Sequence, residues 1–229
     1  KGKLVKLPFG RKDAALTSME HHLKTGDLKK AAGSFLVYYP EVTGAHPKRA
    51  MLLELGGLTT NARELSKRLK NAVKTITQYK RVGVVLPAGY EKSVSEAFAA
   101  QMLECSFAHT EHKSGKEDKS CAEEVIFYSA KNVAALINRA EAISRGINLI
   151  KTLGLRPANF LTPTALAHTA EDIARKHKLT VRVLGEEDMK TLGMGGILGV
   201  SQGSTEEAKF IILEYKGGRK TVGLVGKGI

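Results

Sequence analysis

The chain has 229 residues, 42% hydrophobic and 26% charged, a balance that predicts a packed core. No apolar run approaches the ~20 residues that span a bilayer, the first residues lack a secretory apolar core, and two cysteines, Cys105 and Cys121, are too few for a disulfide framework. Both read as ordinary thiols of a reducing, cytoplasmic compartment. The formal charge of +13 is uneven: residues 1–155 hold 25 Lys+Arg against 15 Asp+Glu, and residues 156–229 hold 11 against 8, which suggests two units with different surfaces.

The first part alternates strand and helix signals. Ser34–Tyr39 and Ala50–Leu55 read as strands, the second ended by Gly56-Gly57. Asn61 can cap a helix with Glu64 three residues on, and Leu65, Leu69, Ala72, Val73 and Ile76 fall on one face. Arg81–Leu86 is a third strand, broken by Pro87, and a helix follows through Val94, Ala97, Phe98 and Met102. Residues 109–123 read as a polar loop before the strand Glu124–Tyr128. This order predicts an α/β layer with a mainly parallel sheet over residues 1–130.

Residues 131–155 read as one long linking helix. Val133, Leu136, Ala140, Ile143, Ile147 and Ile150 form a single apolar stripe, and at 1.5 Å per residue the helix would run about 35 Å, enough to bridge two domains. A second unit, 156–229, follows. Thr162 caps a helix with Pro163 at its first position, and Leu166, Ala170, Ile173 and Ala174 form that helix's inner face. Leu179–Leu184 alternates as a strand, Glu186–Leu192 is a short helix closed by Gly193, and Phe210–Leu213 and Val222–Val225 are two further strands. About seventy residues of half-buried elements cannot close a core alone, so the chain is expected to be part of a longer polypeptide.

Several constellations fail on spacing. Gly226-Lys227 invites a phosphate-loop reading, but Thr221 stands where the first glycine belongs and Gly228 where Ser or Thr belongs. Gly193-Met194-Gly195 lacks the third glycine of a dinucleotide fingerprint, Leu198 standing there; no cofactor-binding residue is assigned. The pairs His109/His112 and His21/His22 have no cysteine or carboxylate set beside them and read as surface histidines. Arg63, Lys67, Arg68, Lys70, Lys74, Lys80 and Arg81 gather positive charge without interleaved aromatics, which reads as a solvated face. Lys227 is the residue singled out: a lysine between two glycines at the carboxyl end of a strand stands where α/β sheets keep their sites.

From about Ser144 to Ile229 the sequence resembles the leucyl aminopeptidase (cytosol aminopeptidase) family. The resemblance is carried by Arg156–Pro163, by Leu192–Ser204, by Leu213–Gly217 and by Leu224–Ile229. Leu155 departs from it, standing where members commonly carry Asn. The resemblance implies a macro-domain-like N-terminal α/β domain, a linking helix, and the beginning of an α/β/α catalytic domain. It implies Lys227 as a ligand of one of two divalent ions, zinc or manganese. The other ligands, a second active-site lysine and an arginine holding a bicarbonate general base are expected beyond Ile229. Two-metal activation of water would then release N-terminal, leucine-like residues from peptide substrates, in a cytoplasmic homohexamer with no membrane attachment. The alternative is an inactive relative that serves as a nucleic-acid-binding or structural scaffold through its basic N-terminal domain.

Overall fold

The computed structural model describes residues 21–22, 24–29, 31–39, 49–57, 61–86, 89–111, 114 and 122–228. Contacts divide the chain into two units, Lys1–Thr152 and Leu153–Ile229. The first contains, in order, β1 (Phe35–Tyr38), β2 (Ala50–Leu53), α1 (Ala62–Ile76), β3 (Arg81–Val85), α2 (Glu91–Ser106), β4 (Glu124–Tyr128) and α3 (Ala134–Leu155), whose last three residues fall in the second. The second continues with α4 (Pro163–His177), β5 (Thr180–Leu184), α5 (Glu186–Thr191), α6 (Gly195–Ser201) and β6 (Phe210–Glu214). Helices and strands mix in both units, an α/β protein. Pro87, His112 and Cys121 lie outside the described residues.

In the first unit one of the two strand pairings among the described residues is parallel and the other antiparallel, so the expectation of a mainly parallel sheet there is corrected. β3 and β4 run parallel because α2 carries the chain back between them, whereas β1–β2 and β5–β6 are antiparallel. Arg81 and Glu124 are register partners and are tied by a charge-assisted bond of 2.6 Å from Arg81 Nε to Glu124 Oε2. Lys80 pairs with Glu123 at 3.3 Å one step earlier.

The core of the first unit lies where α1 and α2 cover these strands. Asn61 caps α1 as anticipated, its side-chain oxygen accepting from the Arg63 and Glu64 N–H groups at 3.1 and 3.3 Å. Leu65, Leu69 and Val73 meet Ala97, Phe98 and Met102, and Phe98 stands edge-on to Phe127 at 5.9 Å. The turn after β2 needs glycine: Gly56 has φ +70°, and a Cβ there would come within 2.8 Å of the Ala32 Cβ. Arg68 holds the same turn, donating to the carbonyls of Leu55 and Gly57 and pairing with Glu64.

The stripe expected on α3 is only partly its inner face. Val133, Ala140 and Ser144 are buried, but Ile143, Ile147 and Ile150 are exposed, Ile150 at 70%. Small side chains at 140 and 144 sit inward, and two ion pairs fix that orientation. Arg139 reaches Glu96 of α2 at 3.0 Å and Lys151 reaches Glu104 at 3.5 Å. The Lys151 ammonium also lies over the Phe107 ring. Asn148 is half-buried and its Oδ1 has no hydrogen-bond partner. Cys105, half-buried near this seam, has its thiol pushed up by burial and by the Glu104 charge, against the pull of Lys70, Lys74 and Lys151.

In the second unit Leu184, Met189 and Ala208 are buried, with Met194, Ile197, Leu198 and Phe210 packed against them. α4 starts as expected: Thr162 Oγ1 accepts from the Ala165 N–H at 3.2 Å and Pro163 occupies the first turn. Thr162→Ala is expected to cost about 1 kcal/mol, read as a lower urea midpoint at unchanged slope. The helix buries Ala167, Ala170 and Ala174, while Leu166 is exposed and Ile173 half-buried. Leu166 lies about 40° of helix rotation from Ala170 and about 100° from Ala167, at the edge of the alanine ridge. Gly193 closes α5 with φ +69°, as its position suggested.

Candidate functional site

Two of the segments that carry the family resemblance take a definite place in the second unit. Residues 156–163 make a turn, with the Phe160 and Leu161 N–H groups donating to the Pro157 carbonyl at 2.9 and 3.0 Å, and run into the capped start of α4. Residues 192–204 hold α6, and the Met194 N–H returns to the Met189 carbonyl at 2.9 Å. The start of α5 and the lead into β6 clasp each other. The Glu186 N–H donates to Glu207 Oε1 at 3.2 Å, and the Ala208 N–H donates to Glu186 Oε1 at 3.1 Å. Lys209 pairs with Glu207 at 2.6 Å, and this bond, with the Glu186 N–H, holds the Glu207 carboxyl below the usual carboxylate range. This clasp sets the position of β6, from which residues 215–228 depart.

Val222–Val225 do not form the expected strand. No ladder hydrogen bonds join them to any described residue, and Val222, Leu224 and Val225 are 79%, 94% and 100% exposed. Their composition suits a buried strand, but a strand needs a neighbour to pair with. Lys227 follows on the same exposed stretch, and a Cβ at Gly226 or Gly228 would meet open space.

Among the described residues, no three His, Cys, Asp or Glu side chains gather where they could hold a metal ion. His22 instead accepts an ordinary surface role, its Nδ1 2.9 Å from Asp27, and His109 is half-buried without metal-ligating company. The groups brought together around Lys227 therefore do not fit a two-ion centre: one primary amine is a single donor, and hard or borderline divalent cations require several. A groove of about 610 Å³ belongs to the first unit. It is lined by Met102, Phe127 and Ile137 together with the charged Glu124, Lys131 and Glu141.

Comparison with known proteins places this fold. The structure is similar to a tomato leucine aminopeptidase variant (TM-score 0.73, 22% identity, 92% of this chain and 45% of that one). It is also similar to the bottromycin maturation enzyme BotP in complex with manganese (TM-score 0.70, 19% identity, 86% and 42%). At those identities the likeness defines the α/β fold. In sequence, residues 148–229 match the cytosol aminopeptidase family, catalytic domain. A probable cytosol aminopeptidase of Albidiferax ferrireducens is 34% identical over 213 residues, covering 90% of this chain and 44% of that protein. The chain belongs to the cytosol aminopeptidase family, and it spans less than half the length of the curated relatives it matches. The match carries information that residue chemistry alone lacked: nothing in the local surroundings of Lys227 distinguishes it from other exposed lysines.

Proposed function

We propose that the protein is a metal-dependent aminopeptidase that releases N-terminal residues, leucine-like ones preferentially, from peptides. The observation that carries this reading is the family match over residues 148–229, whose motif segments include the Gly-Lys-Gly turn at 226–228. Lys227 is assigned as one ligand of a divalent-ion pair, zinc or manganese; BotP, a relative in fold, is a manganese complex. An amine binds a cation only as the free base, so loading Lys227 releases a proton and metal affinity should rise with pH. No step of the hydrolysis is assigned to residues of this chain, because the described residues supply one donor. A bicarbonate base, a homohexamer and a cytoplasmic location belong to the same proposal. Among the described residues no helix is long and apolar enough to cross a membrane.

Two measurements test it. The protein expressed from its complete reading frame, dialysed against chelator and reloaded with zinc or manganese, should hydrolyse leucine-p-nitroanilide; metal-independent turnover, or none with either ion, would count against the reading. The purified, mass-verified 229-residue chain should show no turnover with either metal, because a lone lysine cannot hold two cations. Measurable activity from that chain would overturn the ligand argument.

A further inference from the structure

β4 has one edge without a neighbour. The Glu124 N–H donates to the Lys80 carbonyl and the Leu86 N–H to the Tyr128 carbonyl, each at 3.0 Å, so residues 124, 126 and 128 turn their main-chain groups toward β3. Val125 and Phe127 therefore turn theirs the other way, and no strand among the described residues lies on that side. Val125, Ile126 and Phe127 line the groove of about 610 Å³, together with Met102 of α2 and Val133 and Ile137 of α3.

Of the charged side chains in the groove, two are engaged. Glu124 is bonded to Arg81 at 2.6 Å, and Lys131 lies 3.9 Å from Glu91. Glu141, half-buried on α3, has no ion partner among the described residues. The groove thus combines main-chain donors and acceptors at strand spacing, apolar walls and one unmatched carboxylate. That local negative charge stands out on a chain whose net charge is +13.

We propose that this groove binds an extended segment of another polypeptide, which adds to β4 as a strand and sets a lysine or arginine against Glu141. Main-chain bonds to Val125 and Phe127 supply the affinity, and alternate side chains of the guest meet the apolar walls. The five residues of β4 span about 17 Å, room for a guest of similar length. Other occupants suit the groove less well. A compact apolar ligand would leave the strand's free donors and acceptors unmet, and a nucleic acid would bring phosphates against Glu141. A second copy would bring another groove of the same sign, its Lys131 already engaged by Glu91. Bulk attraction cannot account for a basic guest, because the chain as a whole repels one. The inference rests on the first unit alone and is independent of the peptidase reading.

The test is fluorescence anisotropy of the 229-residue chain with the peptide Thr-Val-Thr-Val-Thr-Lys-amide, capped at its amino end by fluorescein so that no aminopeptidase can trim it. Saturable binding is expected. A134W should abolish it with an unchanged circular dichroism spectrum, since Ala134 is exposed and lines the groove. E141Q should weaken the lysine peptide about two- to fivefold and leave a version with norleucine in place of lysine unchanged. The control E171Q, in the second unit, should bind as the parent does. Two peptides N-methylated on alternate residues, one on each set, should differ at least about tenfold in affinity, because only one set of amides faces β4. No binding, parent-like binding by A134W, or equal affinities of the two methylated peptides overturns the proposal. So does an equal response of the lysine and norleucine peptides to E141Q. A dimer of the parent chain in sedimentation that A134W dissociates would assign the groove to a second copy and overturn it as well.

Discussion

Lys227→Ala in the protein expressed from its complete reading frame is expected to lower leucine-p-nitroanilide turnover by more than about hundredfold, since even outer-shell changes at metal sites cost 10–100-fold. The unfolding midpoint should stay where it was. The second half of that expectation comes from the structure: Lys227 is exposed and buries nothing that its removal would uncover. Metal content by elemental analysis separates the possible roles. A ligand role predicts loss of bound ion along with turnover, whereas a lysine that only contacts substrate would leave the metal in place. An active variant with both ions retained would remove Lys227 from the site.

The second large effect is on folding. Met189 is fully buried, clustered with Leu184 and Ala208. Met189→Ala should cost about 2–5 kcal/mol, toward the upper end if the surrounding α5–α6 turn cannot close over the gap. The turn is held by the Met194 N–H bond to the Met189 carbonyl and by the clasp of Glu186 and Glu207, which resists that collapse. Limited proteolysis should then cut residues 153–229 at a protease concentration that spares the parent. Leu69→Ala, at the centre of the first unit's core, is the matching control and should shift cutting toward residues 61–106. Equal patterns from both variants would mean that the two cores melt together.

The elements most legible in the sequence were those whose signal and environment are local. The inner face of α1 matches the apolar spacing, except that Ile76 is only half-buried, because no other face of that helix could enter a core. Asn61 and Thr162 cap where their side chains say they should. α3 was less legible because periodicity identifies an apolar stripe and not the surface it meets. Packing went to the small side chains at 140 and 144, steered by Arg139 and Lys151, and left three isoleucines outside. Val222–Val225 show the same gap, since β-composition is intrinsic to a segment but pairing belongs to two. Lys227 was singled out by its place between two glycines after a strand-like run, but a metal-ligand role for it rests on resemblance alone: its exposure gives no physical mark of function.

The salt links at the head of the β3–β4 pair bear on how the chain is made. Arg81 must wait for Glu124, 43 residues later, which at 5–20 residues per second is a delay of about 2–9 s on the ribosome. Through that interval a Val-rich edge has no mate, and a one-residue slip when the mate arrives would turn each side chain to the wrong side. Two adjacent charge pairs, Lys80–Glu123 and Arg81–Glu124, favour the correct alignment at the first point of contact. The nascent polypeptide thus carries its own alignment mark at the most widely separated strand pairing among the described residues.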